Sequence, residues 1–384
     1  MHEGNIKKYY LFSFLYNTYL WLPVWVLFLL DMGFSLTQIT FLDTFFFVTI
    51  VILSLPVGML SDRIGRKSTL SLGAIFTSVA LFLFAESETF SAVAVSYLFW
   101  ACALTFISVG GTAFLYDTLK MIGREEEFKK INGRSIFFAT AAMGIASLIG
   151  GRMGEFSLKL PILISSAICL LSFLVTLTFK EPLATSIDKS YVRHLKESIL
   201  ITKNSSSLAF LIGFGIVFSI LISISQIFSQ PYFKLLGIRV TSIGTIYFVF
   251  KFFVAISASS AHVIETRIGE RRTLAFMPAF LFLCLFFLSS NMQVIPAFLF
   301  LNMVAGFAQP LLNDYINRRI PTERRATIIS LQTGLLASIQ LFAEPAMGYV
   351  ADRFSLQTSF SIMTGFCFLL LVSAILSQRL FGER

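Results

Sequence analysis

Three histidines, four cysteines and a charged fraction of only 13% leave this 384-residue chain poorly equipped for solution chemistry. His2, His194 and His262 are scattered, so the clustered imidazoles or acids of a membrane or metal enzyme are missing. Cys102, Cys169, Cys284 and Cys367 each sit inside an apolar run with no C-x-x-C spacing. They read as small hydrophobic residues, neither a metal site nor a disulfide framework. No metal and no cofactor is expected. Long polar stretches are also scarce, which leaves no room for a soluble signalling domain. A typical soluble domain is about 25% charged, so 13% argues against a soluble enzyme. What remains is 56% hydrophobic, with 44 Phe, and has a mean hydropathy of +0.80.

Apolar runs long enough to span a bilayer, about 20 residues each, recur near 9–30, 38–58, 69–86, 91–115, 135–152 and 161–179. A second set follows near 207–230, 241–261, 273–290, 294–313, 326–350 and 357–378. Residues 1–180 therefore read as one six-helix bundle, 181–206 as a polar linker and 207–384 as a second bundle. The first run is too long for a signal-peptide core and lacks a small-residue cleavage site, so it reads as a retained span. The fold class expected is an all-α membrane protein of twelve transmembrane helices in two pseudo-symmetric bundles.

The net charge of +9 is a record of topology. Arg152, Lys159, Lys234, Arg239 and Arg353 fall in loops on one side, and Lys251 falls within a span. The other 24 basic residues lie on the opposite side, at the termini, in the linker and in the loops that share that side. Lys and Arg accumulate in cytoplasmic loops, so both termini and the linker are expected in the cytoplasm of a multi-pass cell-membrane protein, bacterial in type. Nucleic acid is not an expected partner, and the sequon at Asn204 falls on the cytoplasmic side.

The halves repeat. Gly33-Phe-Ser-Leu-Thr37-Gln-Ile39 matches Gly237-Ile-Arg-Val-Thr241-Ser-Ile243 at a shift of 204, and Arg63-Ile-Gly-Arg-Lys-Ser-Thr-Leu70 matches Arg267-Ile-Gly-Glu-Arg-Arg-Thr-Leu274 at the same shift. Two matches at one shift, in corresponding loops, indicate internal duplication. Duplicated six-span halves suit a transporter in which one half rocks against the other.

The loop after the second span reads Gly58-Met-Leu-Ser-Asp62-Arg63-Ile-Gly65-Arg66-Lys67. It resembles the G-x-x-x-D-R-x-G-R-[RK] loop of the major facilitator superfamily, and with twelve spans, a linker and a half repeat the resemblance covers the chain. It implies alternating access and a conformational latch. In that family the Asp sits at the start of span 11 and the Arg pairs with an acid at the cytoplasmic end of span 4, here Asp117. Gly58 suits close helix approach and Gly65 a tight turn. The second copy has Thr266 and Glu265 around the Asp position, His262 for Gly58 and Glu270 for Arg66, so a weaker latch is expected there. Gly348-Tyr-Val-Ala-Asp352-Arg353 also spells G-x-x-x-D-R, but on the opposite side. It is expected to be a helix-end turn with a surface ion pair.

Ionisable groups within spans are costly and are functional suspects. Asp43, Lys251 and Glu344 are the three here. Glu344, beside Pro345, is the preferred proton carrier; Asp43 serves equally as carrier or helix cap. Lys251 has two readings, counter-ion or anchor for an anionic substrate group. Asn17, Gln226 and Gln309 are candidate ligand contacts, and each also suits an interhelical hydrogen bond. The Phe-rich lining favours a small amphipathic substrate. The reading is proton-coupled efflux by a monomer in the lipid bilayer, with proton-coupled uptake as the alternative. Drug-efflux branches of the family carry an Arg midway along span 4 and a Gly-Pro pair in span 5; this chain has neither.

Overall fold

The computed structural model describes residues 3–182, 205–320 and 325–377. The body of the expected linker and Arg324 lie outside the described residues. The helices are α1 (Gly4–Tyr16), α2 (Trp25–Asp31), α3 (Leu36–Ile64), α4 (Arg66–Glu86), α5 (Phe90–Met121), α6 (Phe128–Phe156), α7 (Lys159–Leu177), α8 (Ser206–Leu235), α9 (Val240–Ile268), α10 (Glu270–Ser289), α11 (Val294–Arg318), α12 (Arg325–Arg353) and α13 (Leu356–Leu376). A short 3-10 turn at Glu125–Glu127 precedes α6. No strand occurs among the described residues.

Ten of these helices are long and apolar enough to cross a membrane. The other two expected spans explain themselves. The first is broken between Tyr16 and Trp25. Asn17 stands at the end of α1 with its side-chain amide donating to the Ser13 carbonyl (2.8 Å), Thr18 donates to Phe14 (2.8 Å), and Pro23 follows with no N–H to donate. The expectation of one continuous helix over 9–30 is corrected accordingly. The second is α12, a 29-residue helix whose stretch 326–343 is an uncharged, largely apolar run.

The chain forms two compact units. The first comprises Met1–Phe34, Leu42–Asp188 and Phe233–Phe248; the second comprises Ser35–Phe41, Lys189–Tyr232 and Val249–Arg384. In the first, α4 packs against α5 and α7, and hydroxyls join helices where water is absent. Ser78 and Ser166 each donate to the other's carbonyl (2.9 and 2.7 Å), and Ser71 pairs with Thr176 (2.7 Å). Such bonds contribute about 0.6 kcal/mol each in a bilayer. Phe179, just past α7, stacks on Phe114 at 4.6 Å, among the buried rings of Tyr9 and Phe12. In the second unit α10 packs against α13 and α11, and Tyr232, Phe298 and Phe360 form a buried aromatic group whose centroids lie 5.7–6.0 Å apart. The Tyr232 hydroxyl is satisfied by the Leu288 carbonyl at 2.7 Å.

The repeat read from sequence recurs in the backbone. Gly33 and Gly237 have φ of 83° and 69°, and Gly65 and Gly269 have 89° and 82°. Only a residue without Cβ adopts these values freely, which accounts for glycine at both members of each pair. The helix starts that follow are capped in related ways. Ser35 and Gln38 form a reciprocal box at the head of α3 (3.0 and 3.2 Å), as expected for S-x-x-Q. The Leu36 and Thr37 N–H groups donate to the Asp352 carboxylate (2.9 and 2.8 Å), and so does the Thr37 hydroxyl (2.6 Å). At the head of α9, the Thr241 N–H and hydroxyl both donate to Glu155 (3.1 Å each). Asp352 makes no ion pair with Arg353 among the described residues, which corrects the expectation of a surface ion pair there: the carboxylate serves as a helix cap.

Some glycines are required by contact alone. A Cβ on Gly150 would collide with the Leu20 carbonyl, whereas one on Gly334 would meet nothing within 4 Å. Gly150→Ala should therefore destabilise the protein by about 1–3 kcal/mol through overpacking. Gly334→Ala should be neutral or stabilising by up to about 1 kcal/mol. Thermal unfolding of the detergent-solubilised variants checks this; equal melting temperatures would contradict the packing described.

Candidate functional site

Two polar constellations stand out in the described residues. The first is the Asp62–Lys67 loop. Gly65 turns the chain between α3 and α4, and Arg66 opens α4 with its side chain almost fully buried. Its guanidinium meets Asp117 on α5 at 3.3 Å, with both side chains 7% exposed. It also contacts Asp62 at 3.2 Å and donates to the Ser61 hydroxyl at 3.1 Å. A planar fork with several donors suits this crowded acceptor set. The backbone of the same turn is held from another direction. Glu181 accepts from the Arg66 N–H (2.5 Å) and the Lys67 N–H (3.0 Å), and its carboxyl lies 2.7 Å from where a Gly65 Cβ would stand. Gly65 thus serves both the turn and the room for Glu181. Lys67 Nζ donates to the Leu177 carbonyl (2.8 Å), Lys8 to Thr178 (2.6 Å), and the Asn5 amide exchanges bonds with the Lys180 backbone (2.8 and 3.0 Å). Residues 177–181 are therefore tied to α1 and to the loop at once. Arg63 is exposed, and a Cβ on Gly58 would meet nothing within 4 Å among the described residues.

The second copy keeps an ion pair with its signs exchanged. Glu270, at the position of Arg66, pairs with Arg319 at 2.6 Å, where the first copy has Arg66 against Asp117. The exchange places a carboxylate in the first turn of α10, where the helix dipole favours it. The sequence signals the loss of Arg but not the gain of the opposite pair, because Arg319 lies in a basic run with no motif around it.

The second constellation lies in the second unit, around Glu344 on α12. Glu344 is fully buried and Gln340, one turn earlier, is 3% exposed. Ser223 of α8 donates to Glu344 Oε1 at 2.7 Å, Gln340 Nε2 donates to the same oxygen at 2.6 Å, and Gln340 also reaches Ser223 Oγ at 3.3 Å. Pro345 follows inside the helix, so the backbone next to Glu344 lacks a donor. Ser223 was not legible beforehand; a serine in an apolar span carries no signal until a partner helix brings an acid to it.

The other candidates fall in less concentrated surroundings. Asp43 is half-buried in the first unit, within electrostatic reach of Tyr97, whose buried hydroxyl has no hydrogen-bond partner among the described residues. Tyr97 packs against Phe46 and Trp100. Lys251 is half-buried on α9. Asn17 ends α1, and Gln226 and Gln309 are exposed on α8 and α11. No group of three or more metal-ligating side chains occurs among the described residues.

The buried Arg66–Asp117 pair and the part-buried Glu270–Arg319 pair should respond differently to loss of the acid. Asp117→Asn leaves the buried Arg66 with only the half-exposed Asp62 as its acid and should cost about 1.5–3 kcal/mol. Glu270→Gln should cost about 1 kcal/mol, as for more solvated pairs. Thermal unfolding distinguishes the two, and a larger loss for Glu270→Gln would contradict the burial described.

Comparison with known proteins places this geometry. Residues 10–343 match the family described as Major Facilitator Superfamily. The chain is similar to the MFS-type transporter YxaM of Bacillus subtilis (20% identical over 356 residues, 90% of this chain and 88% of that one). It is similar over a shorter stretch to multidrug resistance protein 1 of Bacillus subtilis (27% over 191 residues, 47% of each chain). It also resembles the quinolone resistance protein NorA of Staphylococcus aureus (26% over 156 residues, 41% of this chain and 39% of that one). Among solved structures, it shares its fold with the nucleoside transporter NupG (TM-score 0.81, 16% identity, 99% of each chain covered). A bacterial homologue of the lysosomal transporter Spinster also shares it (TM-score 0.75, 14% identity, 99% and 97% coverage). With that match across most of its length, the Asp62–Lys67 loop and the all-helical repeat, the chain belongs to the major facilitator superfamily of membrane transporters.

Proposed function

We propose that this transporter exports a small amphipathic molecule across the cytoplasmic membrane in exchange for protons, as a monomer with both termini in the cytoplasm. One observation carries the reading: a fully buried carboxylate, Glu344, held by Ser223 and Gln340 beside a helix-interrupting proline. As a carboxylate it accepts both bonds at Oε1. As a carboxylic acid it gains a donor of its own while Oε1 remains an acceptor. One side chain can thus occupy either protonation state without leaving its partners, as a proton carrier requires. The partial similarity to two bacterial drug-resistance proteins supports export. In this reading the Asp62–Lys67 loop and Asp117 act as the latch between states, and Asp43, Lys251, Asn17, Gln226 and Gln309 are secondary candidates for cargo or proton contact.

A second reading, proton-driven uptake of a solute with an anionic group, is favoured by Lys251 alone. This cation lies well inside α9 and has no hydrogen bond or ion pair with the described residues.

Proteoliposomes containing a pH-sensitive dye test the export reading, with ethidium as the amphipathic probe. An imposed proton gradient should drive ethidium movement against the direction of proton flow. Glu344→Gln should abolish the proton movement while ethidium still binds. Co-directional movement would support uptake instead, and an unchanged proton response in Glu344→Gln would remove Glu344 from the mechanism.

A further inference from the structure

We propose that Glu265, Tyr315 and Thr273, beside the second copy of the Asp62–Lys67 loop, bind an alkali-metal cation. The proposal is separate from the direction and coupling of transport.

Three helices of the second unit bring these side chains together. Glu265 lies in the last turn of α9, Thr273 in the first turn of α10 and Tyr315 in the last turn of α11. Gly306 lets α9 and α11 approach, since a Cβ there would lie 2.9 Å from the Val254 carbonyl. Ser257 of α9 then donates to the Met303 carbonyl of α11 at 2.5 Å. Gly269, with φ of 82°, turns the chain from α9 into α10. The Thr273 hydroxyl donates to the Gly269 carbonyl at 2.8 Å. That bond uses the hydroxyl proton and leaves the Thr273 oxygen as an acceptor.

The group is rich in oxygen and poor in positive charge. Glu265 is 8% exposed, and Tyr315 and Thr273 are fully buried. The Tyr315 hydroxyl faces Glu265 and Thr273, yet it makes no hydrogen bond among the described residues. No cationic side chain pairs with Glu265 among those residues. The guanidinium groups of α11 and its end are engaged elsewhere, Arg319 with Glu270 at 2.6 Å and Arg318 with Asp314. Buried charges in proteins are paired or coordinate a metal ion.

The first copy supplies an internal precedent. At the shift of 204, Ser61 corresponds to Glu265, Arg66 to Glu270 and Thr69 to Thr273. Thr69 makes the same bond to its turn glycine, Gly65, at 2.7 Å. Arg66 then brings a cationic group to the Ser61 hydroxyl at 3.1 Å. In the second copy a carboxylate takes the place of Ser61, and Glu270 takes the place of the arginine. A cation from solution supplies what Arg66 supplies in the first copy. The ligand set also limits which cation fits. It holds oxygen ligands only, which suit a hard ion. Glu265 and Glu270 against Arg319 leave a single negative charge, which a monovalent ion balances.

The test is thermal unfolding of the full, detergent-solubilised chain in choline chloride, KCl and NaCl at equal ionic strength. KCl, NaCl or both should raise Tm above its value in choline chloride, and the rise should grow with salt concentration as for a ligand bound by the folded state alone. The two arms show which ion the site takes. Tyr315→Phe keeps the ring and should raise the half-saturating ion concentration about 5-fold, for the loss of one ligand hydroxyl. Glu265→Gln should abolish the ion response, because no buried carboxylate then needs a counter-charge. Equal Tm in all three salts would overturn the proposal, and so would an ion response that both substitutions leave unchanged. A rise on acidification with none from KCl or NaCl would also overturn it, since a proton would then satisfy Glu265. If Glu265→Gln does not fold, Tyr315→Phe decides by itself. None of these measurements needs ethidium or a proton gradient, so failure of the export reading leaves them unaffected.

Discussion

A helix begins with backbone donors that have no partner within the helix. This chain meets the need repeatedly with carboxylates drawn from elsewhere in the sequence. Glu181 sits on the head of α4, Asp352 on α3 and Glu155 on α9. Each of these contacts satisfies a helix end and also ties two remote stretches of chain together. With only 13% of residues charged, few acids are left for other work. The fully buried Glu344, which accepts from the neutral donors Ser223 and Gln340, stands out against that background.

The duplication shows how the same physics can be met twice by different residues. Both copies keep the left-handed glycine that turns the chain and the threonine that receives a carboxylate. The charge pair behind the turn survives with Arg and acid exchanged, Arg66–Asp117 in one copy and Glu270–Arg319 in the other. Attraction between opposite charges does not depend on which helix carries which sign. The helix dipole does, and it favours Glu270 over Arg66 at a helix head. Arg66 is tolerated there because Glu181 neutralises the same helix end.

The polar groups inside the spans divide by partner. Ser78, Ser166, Ser71 and Thr176 answer one another or the backbone and fasten helices. Asn17 ends a helix. The Ser223–Gln340–Glu344 group is different because it gathers one titratable oxygen and two donors at a proline break.

The amino-acid pattern alone determined the solvent, the repeat, the fold class and the Asp62–Lys67 loop. Each of these is written in local composition or in residue spacing: apolar runs of bilayer length, basic residues on one side, and glycine and acid at fixed intervals. It also singled out Glu344, since a charge within an apolar run is conspicuous, while Asp117 was pointed to by the resemblance of the Asp62–Lys67 loop to the family motif. Only the tertiary structure decided which distant group meets each charge. Ser223 for Glu344, Glu181 for the head of α4, Arg319 for Glu270 and Thr37 for Asp352 are separated in sequence by 121, 115, 49 and 315 residues. Hydrogen bonds and ion pairs act over a few ångströms in space, and a sequence records neighbours along the chain but not across it.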